Sequence, residues 1–310
     1  MFAAHGITSE CVFSCDIDQY ARTAYQNNFG DYPAGDITAI ETDAIPPHDL
    51  LFAGFPCQPF SIIGHKKGFA DVRGTLFFDV ARILQAKKPK GFVLENVKQL
   101  ATHDNGSTLQ RILETLTNMG YFVGSKVLNA LDYGLPQKRE RVFLVGFHKP
   151  IDFSVFWPAK QSHRTSLREI LETEVDAKYY ASSYIQERRK LKHQAQHHPS
   201  IWHENKAGNI CSYPYSCALR AGASYNYLLV NGERRLTPRE MLRLQGFPDS
   251  YKIAVSESQT RKQAGNSVPV NLVRSVLESF LPKLAESDSS QVSLMQKSKL
   301  VRRWESHVSR

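Results

Sequence analysis

Short apolar runs bounded by Gly and Pro, alternating with amphipathic stretches, constrain this chain most. Asp49-Leu50-Leu51-Phe52-Ala53 runs into Gly54-Phe55-Pro56-Cys57-Gln58-Pro59-Phe60-Ser61, and Gly91-Phe92-Val93-Leu94 runs into Glu95-Asn96-Val97. Runs of this length and bounding read as buried strands. Cys11 to Cys15 and Arg141 to Phe147 read the same way, and helical spacing appears over Gln19 to Phe29, Thr75 to Ala86 and Thr108 to Met119. Strands alternating with helices over residues 10–147 predict an α/β domain on a mostly parallel, doubly wound sheet. Such sheets take ligands beyond the carboxyl ends of their strands. The Cys57 thiol and the Glu95 carboxyl are therefore expected to face one pocket.

A chain of 310 residues holds one large domain or two modest ones. No apolar run approaches the ~18 residues that mark a membrane helix. Met1 to Gly6 lacks the basic start and apolar core of a signal peptide. The five cysteines, at 11, 15, 57, 211 and 217, form an odd, sparse set that suits a reducing cytoplasm. Their spacings match no common zinc pattern, and His193, His197 and His198 have no acid or thiol to complete a site, so no metal is expected. The net charge of +9 favours a polyanionic partner, nucleic acid first, although a solvated basic face gives the same balance.

A thiol beside an acid suits the alkylation of cytosine. Carbon 5 of that ring is a poor nucleophile until a thiolate adds at C6 while an acid protonates N3, which makes C5 the nucleophilic end of an enamine. A buried structural cysteine in a Pro-stiffened loop is the plainer reading of Cys57 taken alone.

Further blocks decide between these readings. In order they are Asp16-Ile17-Asp18, Asp36-Ile37, Gly54 to Ser61, Gly74-Thr75-Leu76-Phe77-Phe78, Glu95-Asn96-Val97 and Gln137-Lys138-Arg139-Glu140-Arg141. Arg235-Leu236-Thr237-Pro238-Arg239-Glu240, Gln245-Gly246-Phe247-Pro248 and Gln263-Ala264-Gly265-Asn266-Ser267-Val268 follow. In order and spacing the chain resembles bacterial DNA cytosine-5 methyltransferases of the restriction–modification type. The resemblance covers residues 10–150 and 230–280.

The resemblance implies a Rossmann-like methyltransferase sheet with S-adenosylmethionine as methyl donor. It makes Cys57 the nucleophile, Glu95 the acid at N3, with Asn96 fixing its orientation, and Arg141 the contact to the target base. Arg139 becomes a supporting or phosphate contact, since alternating residues of an extended segment share a face. Asp16 is expected at the donor's ribose, Ile17 at its adenine, and Asp36 with Ile37 at the adenine edge. Pro56, Leu76, Asn266, Ser267 and Val268 line the rest of that site. The loop Ile62 to Gly68, with Ser61, Lys66 and Lys67, is expected to close over DNA. Family members open with a strand and a Phe-x-Gly-x-Gly turn that this chain does not show, and weak donor binding is the expectation that follows.

Residues 151–233 are rich in His, Tyr, Ser and basic side chains and carry little periodicity, so target recognition is expected there. Arg188, Arg189, Leu219, Arg220 and Tyr225 are its candidate DNA contacts; Arg, Ser and Asn side chains can read base edges. The expected organisation is a catalytic and donor-binding part over 1–148, a smaller irregular recognition domain over 149–257, a returning segment over 258–282 and a polar basic tail over 283–310. The expected partner is double-stranded DNA; a cognate restriction endonuclease is expected to act on the same site without necessarily binding this chain, and the enzyme is expected to be monomeric and cytoplasmic. A tRNA cytosine-5 methyltransferase built on the same blocks and a truncated, inactive DNA-binding relic are the alternatives.

Overall fold

The computed structural model describes residues 7–56 and 76–285. Cys57, Ser61, Lys66, Lys67 and the tail beyond 285 lie outside the described residues. The first half of the chain carries α1 (Gln19–Phe29), β1 (Leu50–Gly54), α2 (Leu76–Lys87), β2 (Gly91–Val97), α3 (Ser107–Asn118), β3 (Phe122–Asn129), β4 (Gln137–Lys138) and β5 (Glu140–Phe147). Then come α4 (Phe153–Phe156), α5 (Leu167–Ile170), α6 (Ser183–Lys192), β6 (Ile201–Glu204), β7 (Ile210–Tyr213), β8 (Ser216–Cys217) and β9 (Leu228–Val230). The helices α7 (Pro238–Leu244), α8 (Glu257–Asn266) and α9 (Val270–Ala285) close the order.

Two compact units share this chain. The described part of the first covers residues 7–56, 76–128, 140–158 and 276–285. Its sheet runs β1-β2-β5-β3. Strands β1 and β2 are parallel, while β2 and β5 are antiparallel, so the sheet is mixed where a mostly parallel one was expected. The antiparallel strand β5 is internal to this sheet, flanked by β2 and β3. Cys11 to Cys15, expected as a strand, shows no continuous ladder. Cys15 makes a single bridge to Ala34, through Ala34 N–H to Ser14 O at 2.8 Å and Asp16 N–H to Ala34 O at 3.0 Å. Asp18 then caps α1, its carboxylate accepting the Tyr20 N–H at 2.9 Å. An Asp N-cap satisfies backbone donors that the first turn leaves free.

The core of this unit gathers Phe77, Leu84, Phe92, Leu94, Ile112 and Leu144. Burying each such side chain contributes roughly 1.5–3 kcal/mol. Phe92 lies opposite Gly146 in the β2/β5 register. A Cβ on Gly146 would stand 2.2 Å from the Phe92 ring, so the missing side chain is what lets the phenyl pack directly on β5.

The second unit comprises residues 129–139 and 159–275. It holds the three-stranded order β7-β6-β9 and the pair β4-β8. Helix α7 starts at a capping box: Thr237 accepts the Glu240 N–H and Glu240 returns a carboxylate to the Thr237 N–H, with Pro238 at the first position. Glu240 is fully buried and also holds the Arg234 guanidinium at 2.7 and 2.9 Å. Residues 258–275, expected to return to the catalytic part, cluster here. Gln245 Nε2 donates to Ala264 O at 2.5 Å, and a Cβ on Gly265 would meet Ala221 N at 2.3 Å, so α8 lies flush against residues of its own unit.

Candidate active site and nucleic-acid interface

In the first unit, Glu95 pairs in register with Gly54 on β1 and with Phe143 on β5. Arg141 lies two residues along β5 from Phe143, on the same face as Glu95, and diagonal neighbours of this kind are within reach of long side chains. Arg141 Nε stands 2.7 Å from Glu95 Oε1, with the side chains 14% and 13% exposed. Burial draws the Arg141 guanidinium down from the ordinary arginine value, and the Glu95 charge opposes that pull. Gly54 contributes space, since a Cβ there would come to 3.4 Å from Glu95 Oε2.

Asn96 does something other than orient Glu95. Its Nδ2 donates to Phe55 O at 2.7 Å and its Oδ1 accepts the Val97 N–H at 2.8 Å. The buried amide therefore fixes the end of β1. Phe55 is buried against Phe77, with ring centroids 5.7 Å apart, and Pro56 is exposed beyond it. The segment that enters Cys57 is thus anchored from β2, while Cys57 itself lies outside the described residues.

Asp16 and Ile17 are both exposed, Ile17 to 73%. A large apolar side chain left in solvent beside an exposed carboxylate suits a ligand with a ring and hydroxyl groups. Asp36 caps the short turn Ile37–Ala39, accepting the Thr38 N–H at 2.9 Å and the Thr38 hydroxyl at 2.8 Å, and these bonds lower its carboxyl from the usual value. Burial raises the Cys15 thiol, and the charges of Asp16 and Asp36 raise it further. The bridge between Cys15 and Ala34 holds Asp16 and Asp36 in one neighbourhood. Ile37 and Leu76 are partly buried and rest on the core of this unit.

In the second unit, Asn266 is exposed at the end of α8, with Ser267 as its C-cap and the Ser267 N–H donating to Gln263 O at 2.8 Å. Val268 is partly buried.

Of the two alternatives for Arg139, the geometry agrees with the supporting one: the side chain is 2% exposed and donates to the carbonyls of Leu219, Gly265 and Ser267. Three expectations for DNA contacts need correction. Arg188 gives both its bonds to Glu204, at 2.6 and 2.7 Å. Arg189 is fully buried on Glu204 at 2.9 Å and on the Asn226 carbonyl. Leu219 is 3% exposed and belongs to a core cluster. Arg220 and Tyr225 fare differently. Arg220 is exposed, its guanidinium 4.9 Å from the Tyr227 ring centroid. Tyr225 is 59% exposed with Arg261 and Arg235 at 4.4 and 5.8 Å from its ring. It lines a cleft of about 230 Å³ with Lys178, Tyr179, Arg235, Glu257 and Arg261. Aromatic rings flanked by cations form a common nucleic-acid surface. Arg235 falls within a block already singled out, whereas nothing in the spacing marks Arg261.

Residues 2–281 match the family described as C-5 cytosine-specific DNA methylase. The chain is 55% identical over 276 residues to Type II methyltransferase M.NgoBI of Neisseria gonorrhoeae, the alignment covering 88% of this chain and 86% of that one. It is 53% identical over 277 residues to Type II methyltransferase M.HaeII of Haemophilus aegyptius, with 88% and 86% covered. Among solved structures, the Dnmt2 methyltransferase of S. pombe aligns with a TM-score of 0.65 and 20% identity over 92% of this chain and 94% of that one, a likeness of fold alone. The chain belongs to the C-5 cytosine-specific DNA methylase family. Its activity is transfer of a methyl group from S-adenosylmethionine to cytosine C5 in double-stranded DNA. Among the described residues, no helix is long and apolar enough to cross a membrane.

Proposed function

We propose that Cys57, Glu95 and Arg141 carry the chemistry on a cytosine flipped out of the duplex. The ring must leave the stack because C6 is otherwise shielded from a thiol. The observation that carries this reading is the Glu95–Arg141 pair at 2.7 Å at the end of β2. A carboxyl and a guanidinium side by side match N3 and O2, neighbours on the pyrimidine edge. The Cys57 thiolate forms a bond to C6 while Glu95, charged in its pair with Arg141 and protonated only as the ring binds, passes that proton to N3, and C5 gains the electron pair. Once C5 holds its methyl group, loss of the C5 proton to a base expels the Cys57 sulfur as thiolate, and N3 returns its proton to the Glu95 carboxylate, which restores the ring.

S-adenosylmethionine, when bound, supplies an electrophilic methyl group on a sulfonium. In the first unit, Asp16, Ile17, Asp36 and Ile37 suit its nucleoside half; Asn266, Ser267 and Val268 are read as donor contacts on the resemblance. Sequence reading of DNA falls to the segment 219–227, where Arg220 and Tyr225 are exposed. The enzyme is read as a cytoplasmic monomer, and relatives named Type II methyltransferases support the further reading that it protects a site that a cognate endonuclease cuts.

The test is a duplex carrying 5-fluorocytosine at the target. Fluorine at C5 cannot leave as a proton, so the adduct stays on the thiol. Mass spectrometry is expected to find it on Cys57, and to find none with Cys57→Ser. An adduct on any other residue overturns the assignment.

A further inference from the structure

Three carbonyl oxygens converge on one buried cation. Arg139 Nη1 donates to Leu219 O at 2.9 Å, and its Nη2 donates to Gly265 O at 2.9 Å and Ser267 O at 2.7 Å. Gly265 and Ser267 bracket Asn266. Leu219 opens the segment that bears Arg220 and Tyr225. A single guanidinium therefore holds two segments far apart in the chain.

Other contacts fasten the same pair. Gln137 Oε1 accepts the Leu219 N–H at 3.0 Å, so the peptide groups on both sides of Leu219 are pinned from residues 137–139. Gly265 touches the Ala221 backbone so closely that a Cβ would stand 2.3 Å from Ala221 N. One turn earlier on α8, Arg261 Nη2 donates to Ala223 O at 2.5 Å and Ser224 O at 2.8 Å, and its guanidinium lies 4.4 Å from the Tyr225 ring. Gly265 and Arg261 thus attach helix α8 to the 219–227 segment at Ala221, Ala223, Ser224 and Tyr225, and the same helix ends at Asn266.

We propose that α8 is a strut coupling the DNA-reading segment to the methyl-donor segment, with Arg139 and Arg261 as its positioning residues. The proposal rests on the reading that Asn266 to Val268 contact the donor and that 219–227 contacts DNA. Neither arginine touches the reacting atoms. Arg139 suits the role because its planar fork reaches three acceptors at once, which a lysine ammonium on a flexible stem does not reproduce. If the strut fixes Leu219 and Ser267 relative to each other, ordering one segment removes part of the ordering cost of the other. Coupling of this kind is reciprocal: duplex must tighten donor binding by the same factor as donor tightens duplex binding.

The experiment titrates S-adenosylhomocysteine, the unreactive donor product, into the full chain by calorimetry, with and without a saturating duplex that the enzyme methylates. The wild type is expected to bind it at least tenfold more tightly with duplex, about 1.4 kcal/mol. Arg139→Lys and Arg261→Gln are each expected to bring that ratio within threefold of unity, with affinity in the absence of DNA changed less than threefold. A merely structural role lowers the melting temperature and weakens both titrations alike, leaving the ratio intact. A ratio near one in the wild type, or an unchanged ratio in the folded variants, overturns the strut. Should Arg139→Lys fail to fold, Arg261→Gln, a change at a partly exposed residue, decides the matter. Asn266→Ala separates the two ideas: undiminished binding of S-adenosylhomocysteine there removes the reading of the donor segment without touching the fastening of α8.

Discussion

Arg141 Nε and Glu95 Oε1 stand 2.7 Å apart on antiparallel neighbours β5 and β2. The register sets this contact: Arg141 is opposite Val97, so Glu95 is its diagonal neighbour on the same sheet face. Both side chains are mostly buried, and removing one partner leaves the other charge uncompensated. Activity and stability are therefore linked at this pair. Glu95→Gln keeps the shape and removes the acid. It is expected to lower the single-turnover rate by about 10²–10⁴, the usual range for a positioned general acid, with duplex affinity within threefold of wild type. A rate within tenfold of wild type would remove Glu95 from the chemistry.

How the two arginines of one block part company shows what the sequence reveals. Alternation assigns a face only while the strand continues, and Arg139 sits between β4 and β5, where the ladder is interrupted. Arg141, inside β5, obeys the alternation and reaches Glu95. Arg139 does not, and its depth depends on three carbonyls up to 128 residues away, which no local pattern encodes. The basic run at Arg188 and Arg189 fails for a related reason. Its charge is visible in the sequence, but its partner Glu204 sits on β6, and only the fold brings them together. Glu95 and the ends of β1 and β2 were legible because short apolar runs between Gly and Pro leave few ways to place a strand.

Gly146→Ala tests the close packing of Phe92 on β5. The added methyl would lie 2.2 Å from the Phe92 ring, too close without movement of the core. Overpacking of this kind costs about 1–3 kcal/mol. Urea denaturation is expected to show a lower midpoint with an unchanged slope, and an unchanged midpoint would mean that the ring moves aside freely.

Glu240 answers to four donors: two from Arg234, the Thr237 N–H at 2.8 Å and the Glu172 N–H at 2.9 Å. Its replacement by alanine strands the Arg234 cation inside the second unit. Losing one partner of a buried pair costs about 3–5 kcal/mol. Glu240→Ala is expected to lose a cooperative melt, or to melt many degrees lower. Substituting the exposed Glu187 by alanine is expected to leave the melt unchanged.

Burial pushes the Cys217 thiol up to about 11, with the Cys211 charge adding to the effect. An unfolded thiol titrates near 8.5. The folded state thus favours the protonated form, so this contribution is complete below about pH 8.5 and fades as pH rises through about 11. Tyr227, also raised by burial, works in the same direction. The melting temperature is expected to fall between pH 9 and 11, and less steeply in Cys217→Ala. At pH 8 the native Cys217 is expected to react with iodoacetamide roughly a hundredfold more slowly than an ordinary thiol, because the thiolate is the nucleophile. Rapid labelling there would contradict its burial.

Salt dependence separates the cations that meet DNA from those that hold the fold. Each phosphate contact adds about 0.9 to the slope of log affinity against log salt. Arg188 and Arg189 are committed to Glu204, so Arg188→Gln is expected to leave the slope unchanged. Arg220 is exposed, its backbone N–H tied to the Tyr227 hydroxyl at 3.0 Å, which leaves the guanidinium facing outward over the Tyr227 ring. Arg220→Gln is expected to lower the slope by about 1 if it meets a phosphate. If it reads a base edge, the slope stays and the affinity for the cognate duplex alone drops, by about 1–3 kcal/mol. Tyr225→Ala removes an exposed ring between two guanidinium groups and is expected to weaken cognate binding about tenfold with little change in slope. Fluorescence anisotropy on cognate and scrambled duplexes between 50 and 200 mM salt reads all three variants. A reduced slope in Arg188→Gln, with Arg220→Gln unchanged in both slope and affinity, would return DNA binding to α6 and remove it from the 219–227 segment.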